Sequence, residues 1–206
     1  MNIKMNELLK KKINKLFIKT KATHISSSTL YKGNFIKVIS ETYKLPNNKI
    51  MNRERIEKNN NKEAVIIVSI TEDNNFILVV QNRINDLISI EFPSGYIEEG
   101  ETVEMAANRE LLEETGYISN DIIILDSYHS QLGIDASIVH IALAKNCIKI
   151  KEQNLGEQEY INFLKISFKE LCTLIEANYL NGCGNKLAFY ELINIEKEKY
   201  IYKRKK

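Results

Sequence analysis

Proline is nearly absent from this chain, with 2 in 206 residues, and glycine is sparse at 8, so a collagen-like repeat and a proline-rich linker are both excluded. Cysteine is scarce as well. Cys147, Cys172 and Cys183 stand far apart and odd in number, with no CxxC pair and no Cys/His cluster. That pattern excludes a disulfide framework and a zinc site, and it predicts a reducing, cytoplasmic setting. No apolar run approaches the roughly 18 residues of a membrane span; the longest uncharged one is Ala64 to Ile70. Lysines interrupt the apolar residues of the N-terminus, so no secretory leader is expected. Nor is there an excess of one charge: 29 basic against 27 acidic residues argue for no nucleic-acid partner.

What remains is an ordinary globular composition, 44% apolar and 27% charged, on the scale of one domain. Residues 1–22 contain Leu9, Ile13, Leu16 and Phe17 at helical spacing among lysines, which predicts a basic amphipathic helix. Its expected role is packing on its own domain or on a partner subunit, with contact at a membrane surface as the less favoured alternative. Residues 23–60 read as a small β subdomain: strands at Thr29–Tyr31, Phe35–Tyr43 and Ile50–Ile56, turns at Gly33-Asn34 and Pro46-Asn47-Asn48, and a loop at Asn59–Asn61. Residues 61–198 form the main domain. Strands are expected at Ala64–Ile70, Phe76–Gln81, Ile88–Phe92, Ile122–Leu125, Ile138–Ala144 and Tyr160–Ile166, and helices at Thr102–Thr115, Phe168–Asn178 and Lys186–Ile195. Residues 199–206 read as a basic, frayed tail. Of the three histidines, His140 falls mid-strand and suits a structural role; His24 and His129 carry no functional signal.

The helix at Thr102–Thr115 is unusual. With Leu111 at zero and about 100° per residue, Ala107 and Val103 form an apolar stripe at about −40° and −80°, and Glu114 and Glu110 fall inside the same arc. Glu113 lies to the side. A solvated acidic face would sit opposite the stripe. These carboxylates instead turn toward the buried side, near the negative end of the helix dipole and close to one another. A divalent cation with oxygen ligands, Mg²⁺ or Mn²⁺, offsets all of these penalties.

The segment from Gly95 through Glu101, Arg109, Glu110, Leu111, Glu113 and Glu114 to Gly116 resembles the Nudix box at every fixed spacing, except that Tyr117 takes the usual aliphatic place after it. A chance match in a chain of this length is on the order of one in a million. The resemblance implies an α/β fold: a mixed sheet in an α/β/α sandwich, with a small N-terminal antiparallel sheet. It further implies a hydrolase of nucleoside diphosphates linked to another group. Glu110, Glu113, Glu114 and the Ser94 carbonyl would hold the metal, and Arg109 and Glu101 would orient the carboxylates.

The flanking residues are similar to the ADP-ribose pyrophosphatase branch. Glu91-Phe92-Pro93-Ser94 leads into the box, and Arg83 in Gln81-Asn82-Arg83 corresponds to an arginine on substrate phosphate. Arg53-Glu54 matches an Arg-Glu pair, and Phe35 after Gly33-Asn34 matches an adenine-stacking ring. Phe35 equally fits a core position, and Arg53 and Arg83 solvated strand ends. The branch implies a homodimer in which the N-terminal sheet completes the partner's site. Its water-activating base corresponds to Glu159, or to Glu157 beside it. Gly133, Asp135 and His140 match a loop near the terminal ribose, but Leu132 replaces the branch's proline, so another nucleotide sugar or dinucleotide stays open beside ADP-ribose. A non-catalytic module that recognises an ADP-ribosyl group is the third reading.

Overall fold

The computed structural model describes residues 6–58, 62–83, 87–156 and 159–204, with side chains through 195. The Asn59–Asn61 loop and the ends of the terminal segments lie outside the described residues. The chain divides into two compact units: residues up to 61 together with 131–136 form the smaller, and the rest forms the larger.

In the smaller unit, α1 (Glu7–Thr20) starts at Asn6, whose side chain accepts the Leu8 N–H. Three antiparallel strands follow in the order β1 (Thr23–Lys32), β2 (Ile36–Lys44) and β3 (Ile50–Lys58). β1 is far longer than the expected Thr29–Tyr31. All ten of its residues are exposed, so it carries no buried-face alternation that a sequence reading could detect. Cross-strand charge pairs tie β2 to β3, with Arg55 Nε 2.8 Å from Glu41 and Lys37 Nζ 2.6 Å from Glu57. Arg55 and Tyr43 hold the Glu41 carboxyl below the usual range, and Lys37 does the same for Glu57. Segment 131–136 joins this unit through the Ile56 N–H to Ile134 carbonyl bond (2.8 Å) and through Lys58 on the buried Asp135 (2.6 Å). The main domain is therefore interrupted here, whereas the sequence pattern predicts one continuous stretch from 61 to 198.

The larger unit is a mixed sheet. Its strands are β4 (Ala64–Thr71), β5 (Phe76–Asn82), β6 (Ile88–Glu91), β7 (Ser94–Tyr96), β8 (Tyr117–Ile118), β9 (Asp121–Gln131), β10 (Asp135–Lys149) and β11 (Ile161–Ile166). The central order is β11-β5-β4-β10-β8, with β6 on β5, β7 on β4 and β9 on β10. Only the β4–β10 pairing is parallel among the registers described. Strand alternation splits the core in two. Val65 and Ile67 on β4, Ile77 on β5, and Ala142 and Ala144 on β10 face Ala106, Ala107 and Leu111 of α2 (Val103–Thr115). Val68, Leu78, Ile141 and Leu143 point the other way, onto Leu171 of α3 (Phe168–Glu176) and Ala188, Phe189 and Leu192 of α4 (Cys183–Arg204). The result is the expected α/β/α sandwich. The basic tail is not frayed at its start, because α4 continues to Arg204. His140 links strands, its Nδ1 2.7 Å from Ser127 Oγ and its Nε2 2.7 Å from Glu63.

Candidate active site

Three local devices set α2. Thr102 caps its N-terminus by accepting the Met105 N–H, and Glu104 lies in the first turn. Gly116 ends it in the left-handed region at φ 80°. A Cβ at Gly116 would lie 2.0 Å from the Lys151 carbonyl oxygen, so the position requires glycine on two grounds. With Leu111 fully buried, Glu114 is carried inside to 6% exposure.

Glu114 has few partners for a buried carboxylate. Its Oε2 accepts the Ser94 N–H at 3.0 Å. Burial raises its pKa, and the neighbouring Glu110, Glu159 and Glu91 add to the effect, so that the carboxyl is pushed up to about 8 despite the Ser94 bond. Glu110 is also raised, chiefly by burial, which Arg109 partly offsets and Glu113 and Glu159 reinforce. Gly95 on β7 lies directly against this carboxyl: a Cβ there would stand 2.0 Å from the Glu110 side chain. The first glycine of the motif is thus the space that Glu110 fills.

Arg109 clasps the cluster. Its guanidinium reaches Glu101 at 2.8 and 2.9 Å, Glu110 at 2.8 Å, Glu113 at 3.1 Å and the Tyr96 carbonyl at 2.9 Å. Glu101 in turn accepts the Glu98 N–H, which pins the loop before α2. At the end of β5, Arg83 grips Glu91 through a two-pronged ion pair at 2.9 and 2.7 Å. Burial works against the Glu91 carboxylate, but Arg83 and the Ser89 hydroxyl outweigh it and hold its pKa below the usual value. Glu159 accepts the Gly156 N–H at 2.8 Å and is close enough to raise both Glu110 and Glu114. Glu157 lies outside the described residues.

The larger unit therefore contains Arg83, Glu91, Ser94, Arg109, Glu110, Glu113, Glu114 and Glu159. Phe35, Arg53 and Gly133 belong to the smaller. Phe35 is exposed and borders a depression of about 190 Å³ with Lys32, Gly33, Lys37 and Glu57, which is not a core position. Arg53 is exposed opposite Glu41, and it is Arg55 that makes the ion pairs there. Gly133 and Leu132 are exposed, and a Cβ at Gly133 would meet nothing.

Two supporting residues have no counterpart in the sequence reading. Gln153 donates to the carbonyls of Glu114 and Ile161, tying the end of α2 to β11. Asn185 accepts the buried Phe92 N–H at 2.7 Å, fixing the approach to the motif against α4. Neither has a neighbour pattern in the sequence that marks it. Among the described residues no three acidic, histidine or cysteine side chains form a ready-made metal cage. Arg109 holds Glu110 and Glu113 in ion pairs. The donor set nonetheless suits a hard cation: carboxylate oxygens, with Glu114 buried and Glu110 half-buried among like charges.

The family profile of the NUDIX domain matches residues 60–178. ADP-ribose pyrophosphatase of Bacillus subtilis (strain 168) is 29% identical over 155 residues, 74% of this chain and 82% of that protein. Methanol dehydrogenase activator of Bacillus methanolicus is 30% identical over the same lengths of 74% and 82%. Among solved structures, an ADP compounds hydrolase superposes with a TM-score of 0.79 at 26% identity, covering 87% of this chain and 96% of that one. With its motif, fold and profile in agreement, the chain belongs to the Nudix hydrolase family.

Proposed function

We propose that the protein is a Mg²⁺-dependent hydrolase that cleaves the pyrophosphate of ADP-ribose to AMP and ribose 5-phosphate. The observation that carries this reading is the pair of carboxyls, Glu110 and Glu114, turned to the buried side of α2 and crowded by Glu113 and Glu159. Glu110, Glu113, Glu114 and the Ser94 carbonyl would hold the cation, with Mn²⁺ a possible substitute. When bound, the metal neutralises the pyrophosphate and lowers the pKa of the attacking water. Arg109 keeps the carboxylates in place, and Glu101 in turn orients Arg109. Glu159 takes the proton from the water, and Arg83, steadied by Glu91, receives substrate phosphate. Phe35, Arg53 and Gly133 bind the nucleotide and its terminal sugar.

The similarity to the B. subtilis enzyme supports the substrate. A homodimer suits the smaller unit, because Ile39 is its one buried apolar side chain among the described residues. Three free cysteines suit a reducing cytoplasm. A second reading, hydrolysis of another nucleotide sugar or of a dinucleotide, is favoured by Leu132 in place of the branch's proline.

The test is phosphate release from ADP-ribose coupled to alkaline phosphatase, with and without Mg²⁺, alongside UDP-glucose, NADH and diadenosine polyphosphates. Glu110→Gln is expected to abolish metal-dependent turnover, and Glu159→Gln to lower kcat by about 10²- to 10⁴-fold. Full activity in Glu110→Gln would overturn the reading. Preference for another substrate would keep the chemistry and select the second reading. Retention of ADP-ribose with no turnover of any substrate would select the binding module.

A further inference from the structure

The helix α1 contributes nothing to any core. None of its residues is buried, and Leu8, Leu9, Ile13, Leu16, Phe17 and Ile18 are all exposed. Packing on its own domain, the first of its expected roles, is therefore not what the chain does. A 14-residue helix without tertiary support is marginal in water, so this apolar surface calls for a partner.

The distribution of charge says which kind. With Leu9 at zero and about 100° per residue, Leu16, Ile13 and Phe17 lie at about −20°, +40° and +80°. Lys12 and Lys19 border this stripe on one side, at about −60° and −80°, and Lys10 borders it on the other at about +100°. Lys11 and Lys15 lie on the far side at about −160° and −120°, where Leu8 at about −100° and Ile18 at about 180° also stand outside the stripe, and Glu7 is the single acidic residue. Glu7 is already engaged by Lys10 at 3.2 Å. Lysine stems can lie along an apolar surface while their ammonium groups reach outward from both edges. A second α1 laid on this stripe would bring lysine borders against lysine borders at distances shorter than salt screens. An anionic lipid surface meets both features at once, accepting the apolar stripe between headgroups that pair with the lysines. The helix is too short and too charged to span, and among the described residues no helix is long and apolar enough to cross a membrane.

We infer that α1 is an interfacial anchor that lies in the plane of an anionic lipid bilayer and recruits the protein to it reversibly. This stands apart from the hydrolase reading and uses none of its residues. The experiment is co-sedimentation of the full chain with vesicles of phosphatidylcholine alone, or with phosphatidylglycerol as a third of the lipid. Size-exclusion chromatography is run in parallel, and the thermal unfolding midpoint serves as the check on folding.

The expected result is at least about tenfold tighter partitioning onto the anionic vesicles, lost in high salt. A Leu9→Glu, Leu16→Glu double variant and a Lys12→Gln, Lys19→Gln double variant each lose that gain while keeping the wild-type unfolding midpoint and elution volume. Equal partitioning of wild type on both vesicles, or none, overturns the inference. So does a double variant that elutes as a smaller species, because the stripe then belongs to a second copy of the chain.

Discussion

A single methyl group separates Gly95 from a residue that the site cannot accept. The space above its Cα is occupied by the Glu110 carboxyl, so Gly95→Ala must move that carboxyl or the backbone. Overpacking of this kind costs about 1–3 kcal/mol. The greater effect falls on chemistry: the Mg²⁺ concentration giving half-maximal turnover is expected to rise by about 10- to 100-fold, as when the support of a metal ligand is lost. A magnesium titration of kcat checks this, and an unchanged midpoint would show that Glu110 does not depend on Gly95. The side chains at this scale were unevenly legible. Glu110 and Glu114 could be assigned to the buried side of their helix because helical periodicity is a property of the sequence itself. Gln153 and Asn185 could not, because each meets its partner only after distant segments fold together, 39 residues away for Glu114 and 93 for Phe92.

Among the elements, α2 was the most legible, since Thr102, Glu104 and Gly116 mark its ends and its apolar stripe marks its buried face. The two-residue β8 and three-residue β7 had no pattern long enough to read. The docking of α2 on the sheet rests on Leu111, fully buried among Val65, Ile67, Ile77 and Ala142. Leu111→Ala is expected to cost about 2–5 kcal/mol through the lost contacts and the cavity left behind. Denaturant unfolding measures the loss, and a change below half a kcal/mol would mean that the helix repacks. Asn185→Ala tests the other layer: it leaves the Phe92 N–H buried without its acceptor, at about 1–3 kcal/mol.

Across the whole molecule the two units differ in what holds them. The larger has two apolar layers, whereas the smaller relies on hydrogen bonds and on the Glu41–Arg55 and Lys37–Glu57 pairs. Both carboxyls are held below the ordinary value of 4.5 in the folded sheet. Their contribution is therefore present above that value and disappears as the pH falls through the lower folded values. Protection factors for amide hydrogen exchange across β1–β3, taken relative to the intrinsic exchange rate at each pH, are expected to fall on acidification through this window while those in the core of the larger unit hold. Loss of protection in both units together would refute the separation. That the N-terminal unit is a β sheet was legible in the sequence. That a segment from the middle of the chain completes it was not, because the Ile56–Ile134 and Lys58–Asp135 contacts join residues more than seventy positions apart.

That discontinuity gives the protein a schedule during synthesis. The first three strands emerge from the ribosome early, but the segment that supplies their last hydrogen bond and the carboxylate under Lys58 is translated only after most of the larger sheet. At ordinary elongation rates the interval is several seconds, long compared with hairpin formation. The nascent hairpins must wait, with an unfinished sheet exposed, for a piece of chain made more than seventy residues later. A stalled chain ending before Gln131 is expected to be readily cut by protease within β1–β3, and one extended past Ala136 to resist.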